Sequence, residues 1–458
     1  MNTVRTYRAK QILIIGGTAA GSSAAAQARK ADPRAQITLI QKAPVISFAA
    51  CGLPYLISGE VASPEKLLVR SLADFETQGI KVLTAHEALN FNSIKRKVYI
   101  RRLSDGHLFE LTYDRLIIAT GANAVSLPLS NPLFKNVFYV RNLSDGIGIK
   151  SLLESGKVKD AAIIGGGYIG LEMAEALHKW GVKISIIEKA SKILPRSSDE
   201  INDILMTTLL QKNITVYLNN ELRQINGASD EAELILVSGP ILQVQLIIVA
   251  IGVKPNVDFA QSGGVALGKT GAISVSPKMA TNIHNVYAAG DCAEAHHRIT
   301  KRSHYVPLGT TANKQGRVAG INAAGGHAIF KGILGSMAVK VFDIHVARCG
   351  LCSDGALKYG FKTESVFIAA HSRASYFPSG SPVWIKLIFE KRNGRLLGAE
   401  MAGEEGIAKR VDIFATALQQ KMTVFDISAL DLTYAPPFAP VWDPVLIAAR
   451  EAAKKVKA

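Results

Sequence analysis

Two copies of one short pattern constrain the fold of this chain more than any other feature of the sequence. Each copy has an apolar strand, a glycine-rich turn, a helix and a second apolar strand, over residues 11–40 and 160–187. Such a turn lets a pyrophosphate approach the backbone and sit at the N-terminus of the helix. Two copies therefore predict two dinucleotide-binding folds and two bound dinucleotides.

The second copy is the more complete. Its turn, residues 165–170, reads Gly-Gly-Gly-Tyr-Ile-Gly, and Glu188 follows the second strand. An acidic residue at this place binds the adenosine ribose of NADH and repels the 2′-phosphate of NADPH. Because of Glu188 we expect a preference for NADH. Lys189 and Lys192 follow closely and soften the repulsion, so NADPH is the alternative.

The first copy departs from the pattern at two positions. Its turn, residues 16–21, reads Gly-Gly-Thr-Ala-Ala-Gly, so Thr18 stands where the second glycine is expected. The residue after the second strand is Gln41 instead of an acid, and a ribose contact there lacks a charge. By itself this copy is weak support for a dinucleotide site.

Three further apolar segments run into small residues, at 116–121, 247–252 and 286–292. In the last of them Gly290 allows a ligand to approach the backbone closely. Asp291 follows at the carboxyl end of the predicted strand, where a carboxylate is well placed to hold a ligand hydroxyl.

The composition limits the kinds of partner that we expect. The formal net charge is +16, but the sequence has no helix-turn-helix, zinc-finger or aromatic RNA-binding motif, so we expect no nucleic-acid partner. The charge is interpreted as scattered, solvated side chains or as a means of attracting anionic ligands.

Compartment and membrane association follow from three features. No apolar run is long enough to span a membrane, and residues 1–10 are polar and basic without the apolar segment of a signal peptide. Four cysteines in 458 residues do not form a disulfide framework. We therefore expect a cytoplasmic protein with no membrane partner.

The pattern changes from about residue 331. Residues 336–342, 365–371 and 383–389 are strand-like and predict an antiparallel sheet, and residues 406–420 predict a helix. The prolines of the tail that begins at Tyr434 keep it extended before a short final helix.

Cys51 lies in the middle of a stretch of small and apolar residues, 45–59, and is followed by Gly52 and Pro54. Since proline is tolerated in the first turn of a helix, we place Cys51 at or just before a helix N-terminus. Unpaired backbone N–H groups and the helix dipole favour the reactive thiolate there. The alternative is a small buried thiol, which is the common state of a free cysteine.

Together these features resemble the pyridine nucleotide–disulfide oxidoreductases, and within them the coenzyme A-disulfide reductase branch. The resemblance covers residues 11–451, and its most specific parts are residues 47–55, 289–291 and 434–437. It implies an α/β fold with two Rossmann-like dinucleotide-binding domains and a C-terminal α+β dimerisation domain. The implied boundaries are 1–120 with 254–328 for FAD, 121–253 for NAD(P)H, and 329–458 for dimerisation.

The resemblance also implies the binding residues. Those for FAD are Gly16, Gly17, Ala20, Gly21, Gln41, Lys42, Ala119, Thr120, Gly121, Gly290 and Asp291. Those for NAD(P)H are Gly165, Gly167, Tyr168, Ile169, Gly170, Glu188 and Gly252. Coenzyme A would contact Ser23, Gln27, Lys30 and Ser47, whereas Ala50 replaces an asparagine that is frequent in the branch. No metal site is expected.

In this family hydride passes from nicotinamide to flavin, and electrons then reach the cysteine. Dithiol branches carry a second cysteine where this chain has Leu56, so Cys51 must act alone, through a mixed disulfide or a sulfenic acid. Peroxidase and oxidase branches carry a histidine where this chain has Ala19. The resemblance assigns catalytic roles to Tyr376 and Tyr434, which reach the site from the partner chain.

The other cysteines receive a structural interpretation. Cys349 and Cys352 have C-x-x-C spacing, which indicates a redox pair chiefly beside a βαβ unit. These two lie instead in the presumed dimerisation domain. We expect them to be structural, and Cys292 to be a packing residue.

The sequence therefore predicts a homodimeric FAD enzyme that uses NADH or NADPH to reduce a coenzyme A-linked disulfide or persulfide through Cys51. The alternatives are an NADH oxidase that reduces oxygen at the flavin, and a persulfide or polysulfide reductase. A non-catalytic flavoprotein that binds partners through its basic surface is the alternative from another class. The presence of both Cys51 and Glu188 argues against the last of these.

Overall fold

The computed structural model of the protein describes residues 8–127 and 134–456. The prediction that the chain has no signal peptide concerned residues 1–10. Of these, residues 1–7 lie outside the described residues. Across the two described ranges, no helix has both the length and the hydropathy of a membrane span. The same ranges contain no group of three or more metal-ligating side chains that would hold a metal ion.

The helices and strands are numbered in chain order. The first third contains β1 (Gln11–Ile15), α1 (Ala19–Ala31), β2 (Gln36–Ile40), α2 (Leu53–Ile57), α3 (Leu72–Glu76), β3 (Ile80–Leu83), β4 (His86–Asn92), β5 (Lys97–Arg102), β6 (Leu108–Thr112), β7 (Arg115–Ile118), β8 (Ala122–Ala124), β9 (Val137–Phe138) and α4 (Leu143–Glu154). The middle third contains β10 (Asp160–Ile164), α5 (Tyr168–His178), β11 (Lys183–Ile187), α6 (Asp199–Gln211), β12 (Thr215–Tyr217), β13 (Leu222–Ala228), β14 (Glu231–Leu236), β15 (Ile241–Val244), β16 (Leu246–Val249), β17 (Val253–Pro255), α7 (Asp258–Ser262), β18 (Val286–Ala288), β19 (Ala295–His296) and β20 (Ser303–His304). The rest contains α8 (Gly309–Ala323), β21 (Met337–Val341), β22 (Ile344–Gly350), α9 (Ser353–Lys358), β23 (Thr363–His371), β24 (Pro382–Glu390), β25 (Leu396–Gly403), α10 (Ile407–Gln420), α11 (Val424–Ser428) and α12 (Pro444–Ala453). Two 3₁₀ segments are Ala50–Gly52 and Pro64–Leu67.

The first large sheet has five parallel strands in the order β18-β7-β1-β2-β3. The alanine-rich helix α1 packs closely against α8. A Cβ on Gly316 or Gly320 of α8 would lie 2.2 Å from the carbonyl oxygen of Ala20 or Ala24 on α1. Glycine at these positions therefore lets the two helix backbones touch, which fixes α1 behind the turn that precedes it.

The second large sheet repeats this arrangement. Its order is β12-β11-β10-β16-β9, and all of its strand pairs are parallel. The four strands predicted at 11–15, 36–40, 160–164 and 183–187 begin and end where the sequence placed them. The prediction of two Rossmann-like folds is confirmed.

The two large sheets are interleaved along the chain. Strand β18 lies beyond the whole second sheet in sequence but pairs with β7 of the first sheet. Where the chain crosses between them, β8 and β17 form an antiparallel pair. Two three-stranded antiparallel sheets, β4-β5-β6 and β13-β14-β15, and the antiparallel pair β19-β20 also belong to this part of the molecule.

The C-terminal part is an antiparallel sheet in the order β21-β22-β25-β24-β23. Helices α10 and α12 contact it, and Phe389 and Phe414 are buried in the core between the layers. The predicted α+β character is therefore confirmed. Helix α5 contacts β21, so this part also touches the second Rossmann-like fold.

Candidate active site

One large cleft passes between the Rossmann-like folds. Both glycine-rich turns, Cys51 and Asp291 line it. The carboxyl ends of β1 and β10 point toward the cleft, which is the edge of an open α/β sheet at which ligands bind.

The first turn is shaped by glycines that allow no side chain. A Cβ on Gly16 would lie 2.1 Å from the carbonyl oxygen of Ala119, and φ at Gly16 is +101°. A Cβ on Gly21 would lie 1.7 Å from the carbonyl oxygen of Gly16. The amide oxygen Oε1 of Gln41 accepts a hydrogen bond of 2.8 Å from the backbone N–H of Gly17. Gln41 therefore holds the turn itself.

The second turn is built in the same way. Gly165 has φ of +108°, and a Cβ on Gly170 would lie 2.0 Å from the carbonyl oxygen of Gly165. Glu188 accepts hydrogen bonds from Gly166 N–H at 2.6 Å and from Ala190 N–H at 2.8 Å. Both carboxylate oxygens thus have backbone partners.

The two lysines near Glu188 are already paired. Lys189 forms an ion pair of 2.9 Å with Glu221, and Lys192 forms one of 2.8 Å with Asp199. Their charges are therefore partly neutralised, and they soften the repulsion of a 2′-phosphate less than the sequence suggested.

Most of the predicted cofactor residues line the cleft, and three do not. Those that line the cleft are Gly16, Ala20, Gln41, Lys42, Ala119, Thr120, Gly121, Gly290, Asp291, Gly165, Gly167, Tyr168, Ile169, Glu188 and Gly252. Gly17, Gly21 and Gly170 do not line it. Gly21 and Gly170 instead pack directly on the turns in front of them.

Asp291 has a partner that sequence reasoning missed. Arg141 Nη2 lies 3.3 Å from Asp291 Oδ2, and Arg141 Nε donates to the carbonyl of Ala122 at 3.1 Å. Arg141 belongs to no glycine-rich motif, so no sequence signal connected it to Asp291. Nearby in the cleft wall, the buried hydroxyl of Tyr305 has no hydrogen-bond partner among the described residues.

Cys51 lies where the sequence placed it, in the 3₁₀ segment just before α2, with Pro54 in the first turn of that helix. The side chain is accessible from the cleft. The expectation of a favoured thiolate is not supported by the surrounding groups. Partial burial, followed by the carboxylates of Glu172 and Asp291, raises the pKa of the Cys51 thiol, while Arg141 lowers it. Helix α2 has only five residues, so its dipole is weak.

Glu172 is a second residue of the candidate site that the sequence analysis did not predict. It lies on α5, two residues after the last glycine of the second turn, and lines the cleft together with Cys51. Burial, and next the charge of Glu175, raise the pKa of Glu172 to about 7. The position of Glu172, two residues after Gly170, was visible in the sequence but belongs to no part of the glycine-rich motif.

The predicted coenzyme A contacts are separated by the structure. Ser23 and Ser47 line the cleft, whereas Gln27 and Lys30 lie further along α1 and do not. The Ser23 hydroxyl donates to the carbonyl of Asn313 at 3.0 Å. Ser47 is buried, has φ of +52° and donates its N–H to the carbonyl of Gly17 at 2.8 Å.

Tyr376 and Tyr434 come together, although 58 residues separate them. Their hydroxyl oxygens are 2.9 Å apart, and the two side chains are exposed. Phe438 and Trp442 are exposed in the same tail. Neither tyrosine lines the cleft that contains Cys51. Within one chain the structure therefore does not bring the three predicted catalytic residues together.

The remaining cysteines are free thiols. Cys349 is buried, and its Sγ donates to the carbonyl of Val411 at 3.7 Å. Cys352 is half-buried at the N-cap position of α9, without a side-chain capping hydrogen bond, and it lines the cleft, as Cys349 does. Cys292 packs in the core with its Sγ directed at the carbonyls of Ile118 and Ala289. Burial raises the pKa of the thiols of Cys292 and Cys349, which keeps them protonated and unreactive.

The fold and the cleft define a class: a reductase with two dinucleotide sites and an exposed thiol, that of Cys51, in the cleft between them. The family model described as pyridine nucleotide-disulphide oxidoreductase matches residues 10–316, and the dimerisation domain of the same family matches residues 336–444. The chain belongs to this family. It is an NAD(P)H-dependent flavoprotein reductase, and its cofactors are FAD and NAD(P)H.

Relatives and solved structures agree with this class. The chain is 37% identical to the "NAD(P)H coenzyme A polysulfide/persulfide reductase" of Pyrococcus horikoshii, over 96% of this chain and 98% of the relative. It is 32% identical to the "Coenzyme A disulfide reductase" of Staphylococcus aureus, over 94% of this chain and 96% of the relative. The crystal structure of reduced Bacillus anthracis CoADR-RHD superposes with a TM-score of 0.95 at 32% identity, over 98% of this chain and 81% of that one.

Proposed function

We propose that the protein is a homodimeric flavoenzyme that uses NADH to reduce a disulfide or persulfide of coenzyme A through Cys51. The observation that carries the proposal is the accessible thiol of Cys51 in a cleft that both glycine-rich turns line. The position of a second cysteine in dithiol enzymes is occupied by Leu56, which is fully buried. Cys349 and Cys352 also line the cleft, but Cys349 is buried and Cys352 is half-buried, whereas Cys51 is exposed, so we assign the reaction to Cys51.

The residues at the first glycine-rich turn, 16–21, which we call the first cradle, fit FAD. The glycines of the turn leave room for a pyrophosphate, Asp291 lies at a strand end, and Tyr305 presents an unpartnered hydroxyl to the cleft. When bound, FAD supplies two-electron transfer from a reduced nicotinamide to a sulfur. We propose that Gly16, Gln41 and Asp291 are among the residues that hold it.

The thiol chemistry belongs to Cys51. Once deprotonated, its sulfur attacks one sulfur of the substrate disulfide, a mixed disulfide forms, and the other half leaves as a thiol. The electron pair from NADH then splits the mixed disulfide into the Cys51 thiol and the second product thiol. The sum is NADH, one proton and one disulfide giving NAD⁺ and two thiols.

The substrate proposal rests on the wall of the cleft and on charge. Ser23 and Ser47 line the cleft close to the first turn, and Lys30 is exposed further along the same helix. A long anionic ligand can reach from the thiol in the cleft to such an exposed cation, and the net charge of +16 favours its approach. Coenzyme A has this shape and charge.

The tyrosine pair supports a shared site. The chain carries the dimerisation domain of its family, and Phe438 and Trp442 expose apolar surface beside Tyr434, as interfaces commonly do. We propose that Tyr376 and Tyr434 reach Cys51 of the partner chain and that a tyrosine hydroxyl donates to the departing thiolate. The domain boundaries and the cytoplasmic location predicted from the sequence are kept as part of this proposal.

Mixing two defective chains tests the shared site. Cys51→Ser chains are combined with chains carrying Tyr376→Phe and Tyr434→Phe. In the heterodimer one site collects all three changes and the other is wild type, so about half of the normal disulfide turnover per dimer should return. No recovery despite confirmed heterodimers would show that the tyrosines do not act across the dimer.

The substrate is tested by steady-state rates of NADH oxidation with coenzyme A disulfide, coenzyme A persulfide, polysulfide and oxygen. We expect the highest kcat/KM with one of the two coenzyme A compounds. NADH consumption that oxygen uptake fully accounts for would favour the oxidase alternative. Purified protein that is not bleached by NADH under anaerobic conditions would favour a non-catalytic flavoprotein.

A further inference from the structure

Glu172 lies between two cavities. On one side it lines the cleft that contains Cys51. On the other side it lines a small pocket together with Tyr55, Glu175 and Lys340, with room for about one water molecule. One carboxyl side chain therefore borders both the cleft and the pocket.

Charged side chains connect the small pocket to solvent. Lys340 on β21 donates a hydrogen bond to Glu175 on α5, and the Lys340 side chain is 41% exposed. Glu60 also lines the pocket, pairs with Lys179 and is 46% exposed. Water and protons can enter the pocket along these side chains without passing through the cleft.

Glu175 is held firmly in the pocket wall. It is buried, and it accepts hydrogen bonds from Lys340 Nζ and from the backbone N–H of Phe342, the latter at 2.9 Å. Its negative charge is the second cause, after burial, of the raised pKa of Glu172. The titratable and charged groups around Glu172 are Glu175 on its own helix, Cys51 and Tyr55 at α2, Glu60 after α2, and Lys340 on β21.

Disulfide reduction needs a proton path at this place. The Cys51 thiol must lose a proton before its sulfur attacks, because the thiolate is the nucleophile. The departing sulfur must gain one, and each turnover takes up one net proton from solvent.

We propose that Glu172 carries protons between Cys51 in the cleft and the solvent-connected pocket behind α5. The proposal rests on the proposed function, because the proton demand is that of disulfide reduction. The Glu172 carboxylate accepts the proton of Cys51 as its sulfur attacks. The protonated carboxyl then returns a proton to the departing sulfur, and the net proton of each turnover enters through the pocket. Glu175 and Lys340 are positioning residues, which set the charge next to Glu172.

Two pH profiles of the FAD-loaded enzyme test the proposal. The first is the rate at which iodoacetamide alkylates Cys51, and the second is turnover of coenzyme A disulfide with NADH. Both should show an inflection close to pH 7, the pKa of Glu172. Glu172→Gln should remove that inflection from both profiles and lower disulfide turnover about 10²-fold, as loss of a proton-transfer group typically does. The absorbance of bound FAD checks that the variant is folded.

Glu175→Gln tests whether the charge of Glu175 acts on Glu172 or whether Glu175 only stabilises the fold. Loss of the neighbouring negative charge should shift the inflection to lower pH in both profiles. The matched control is Glu200→Gln, since Glu200 on α6 pairs with Lys386 on β24 as Glu175 pairs with Lys340 on β21. The control should leave the inflection where it is.

An inflection that persists in Glu172→Gln would overturn the proposal, as would equal shifts in Glu175→Gln and Glu200→Gln. If the wild-type enzyme turns over no coenzyme A disulfide, the proposed function fails. The alkylation profiles then decide by themselves whether Glu172 exchanges protons with Cys51, so the two failures are distinguishable.

Discussion

The two glycine-rich cradles have the same backbone construction but different side chains behind it. In the first cradle, residues 16–21, the amide of Gln41 accepts the N–H of Gly17 at 2.8 Å. In the second, residues 165–170, the carboxylate of Glu188 accepts the N–H of Gly166 at 2.6 Å. The position that looked defective in the sequence therefore keeps the acceptor for the turn, but it lacks the charge and the second acceptor oxygen with which Glu188 also binds the N–H of Ala190.

A second difference lies two residues after the last glycine of each turn. That residue is Ser23 in α1 and Glu172 in α5, and both side chains line the cleft. Ser23 is neutral and donates to the carbonyl of Asn313, whereas Glu172 titrates near neutral pH. Equivalent positions thus present a fixed polar group in one cradle and an ionisable group in the other.

The largest effect is expected from removing the Cys51 thiol, which distinguishes the cofactor reactions at the two cradles from disulfide reduction at the thiol. Cys51→Ser should leave FAD bound and still reducible by NADH, because hydride transfer does not need the thiol, but should abolish disulfide turnover. Anaerobic bleaching of the flavin and steady-state disulfide reduction measure the two steps. Wild-type-like disulfide turnover in the variant would contradict the role of Cys51.

The matched control for that experiment uses the two other cysteines that line the cleft, the buried Cys349 and the half-buried Cys352. Changing both Cys349 and Cys352 to Ser should leave disulfide turnover largely intact, since Cys349 donates only to the carbonyl of Val411. A large loss of turnover in a folded, FAD-loaded double variant would instead assign these cysteines a redox role.

The next experiment makes the second cradle resemble the first. Glu188→Gln keeps an acceptor for Gly166 but removes the charge that holds a ribose and repels a 2′-phosphate. The ratio of kcat/KM for NADH to that for NADPH should fall about tenfold, equivalent to roughly 1.4 kcal/mol. A ratio that stays constant would show that Glu188 only accepts hydrogen bonds from its own turn and does not contact the nucleotide.

A stability measurement sharpens the contrast between Ser23 and Glu172. In the folded protein the pKa of Glu172 is raised from 4.5 to about 7. Below the lower value both states are protonated, so the group has no effect. Between pH 4.5 and about 7 the carboxyl of Glu172 is ionised in the unfolded chain but still protonated in the folded protein, so the free energy of unfolding falls as the pH rises. Above the folded pKa this loss of stability is complete.

Glu172→Gln should remove this cost. We expect the free energy of unfolding to rise by about 1–2 kcal/mol at mildly basic pH, less than the full shift implies because the side chain is partly exposed. Urea unfolding with FAD in excess measures it, and the difference from wild type should vanish at acidic pH. A gain that is the same at both pH values would have a cause other than ionisation.

The smallest effect is expected from the reverse exchange in the first cradle. Gln41→Glu restores a charge, and charge-assisted hydrogen bonds are worth about 1 kcal/mol more than neutral ones. FAD should therefore dissociate about fivefold less readily, since 1.4 kcal/mol corresponds to a factor of about ten. Unchanged or faster dissociation would show that the residue at 41 serves the turn without reaching the ribose.

Several parts of the site were predictable because they depend on residues that are close in sequence. The glycine-rich turns, the strands beside them and the position of Cys51 before α2 all follow from local patterns. The identity of the family and the enzyme class followed from the combination of these motifs. The predicted residues Gln27 and Lys30, in contrast, do not line the cleft, because helix geometry carries them away from it.

The sequence by itself determined the two dinucleotide folds, because strand periodicity and the demand for glycine at a tight turn are local and strong. Only the tertiary structure decided the electrostatics of Cys51. Arg141, Glu172 and Asp291 act on its thiol, and they come from three segments 31 to 150 residues apart. It also decided that Glu175 meets Lys340 of the C-terminal sheet across 165 residues. A pKa depends on charges and burial within a few ångströms, and folding, not sequence separation, sets those distances.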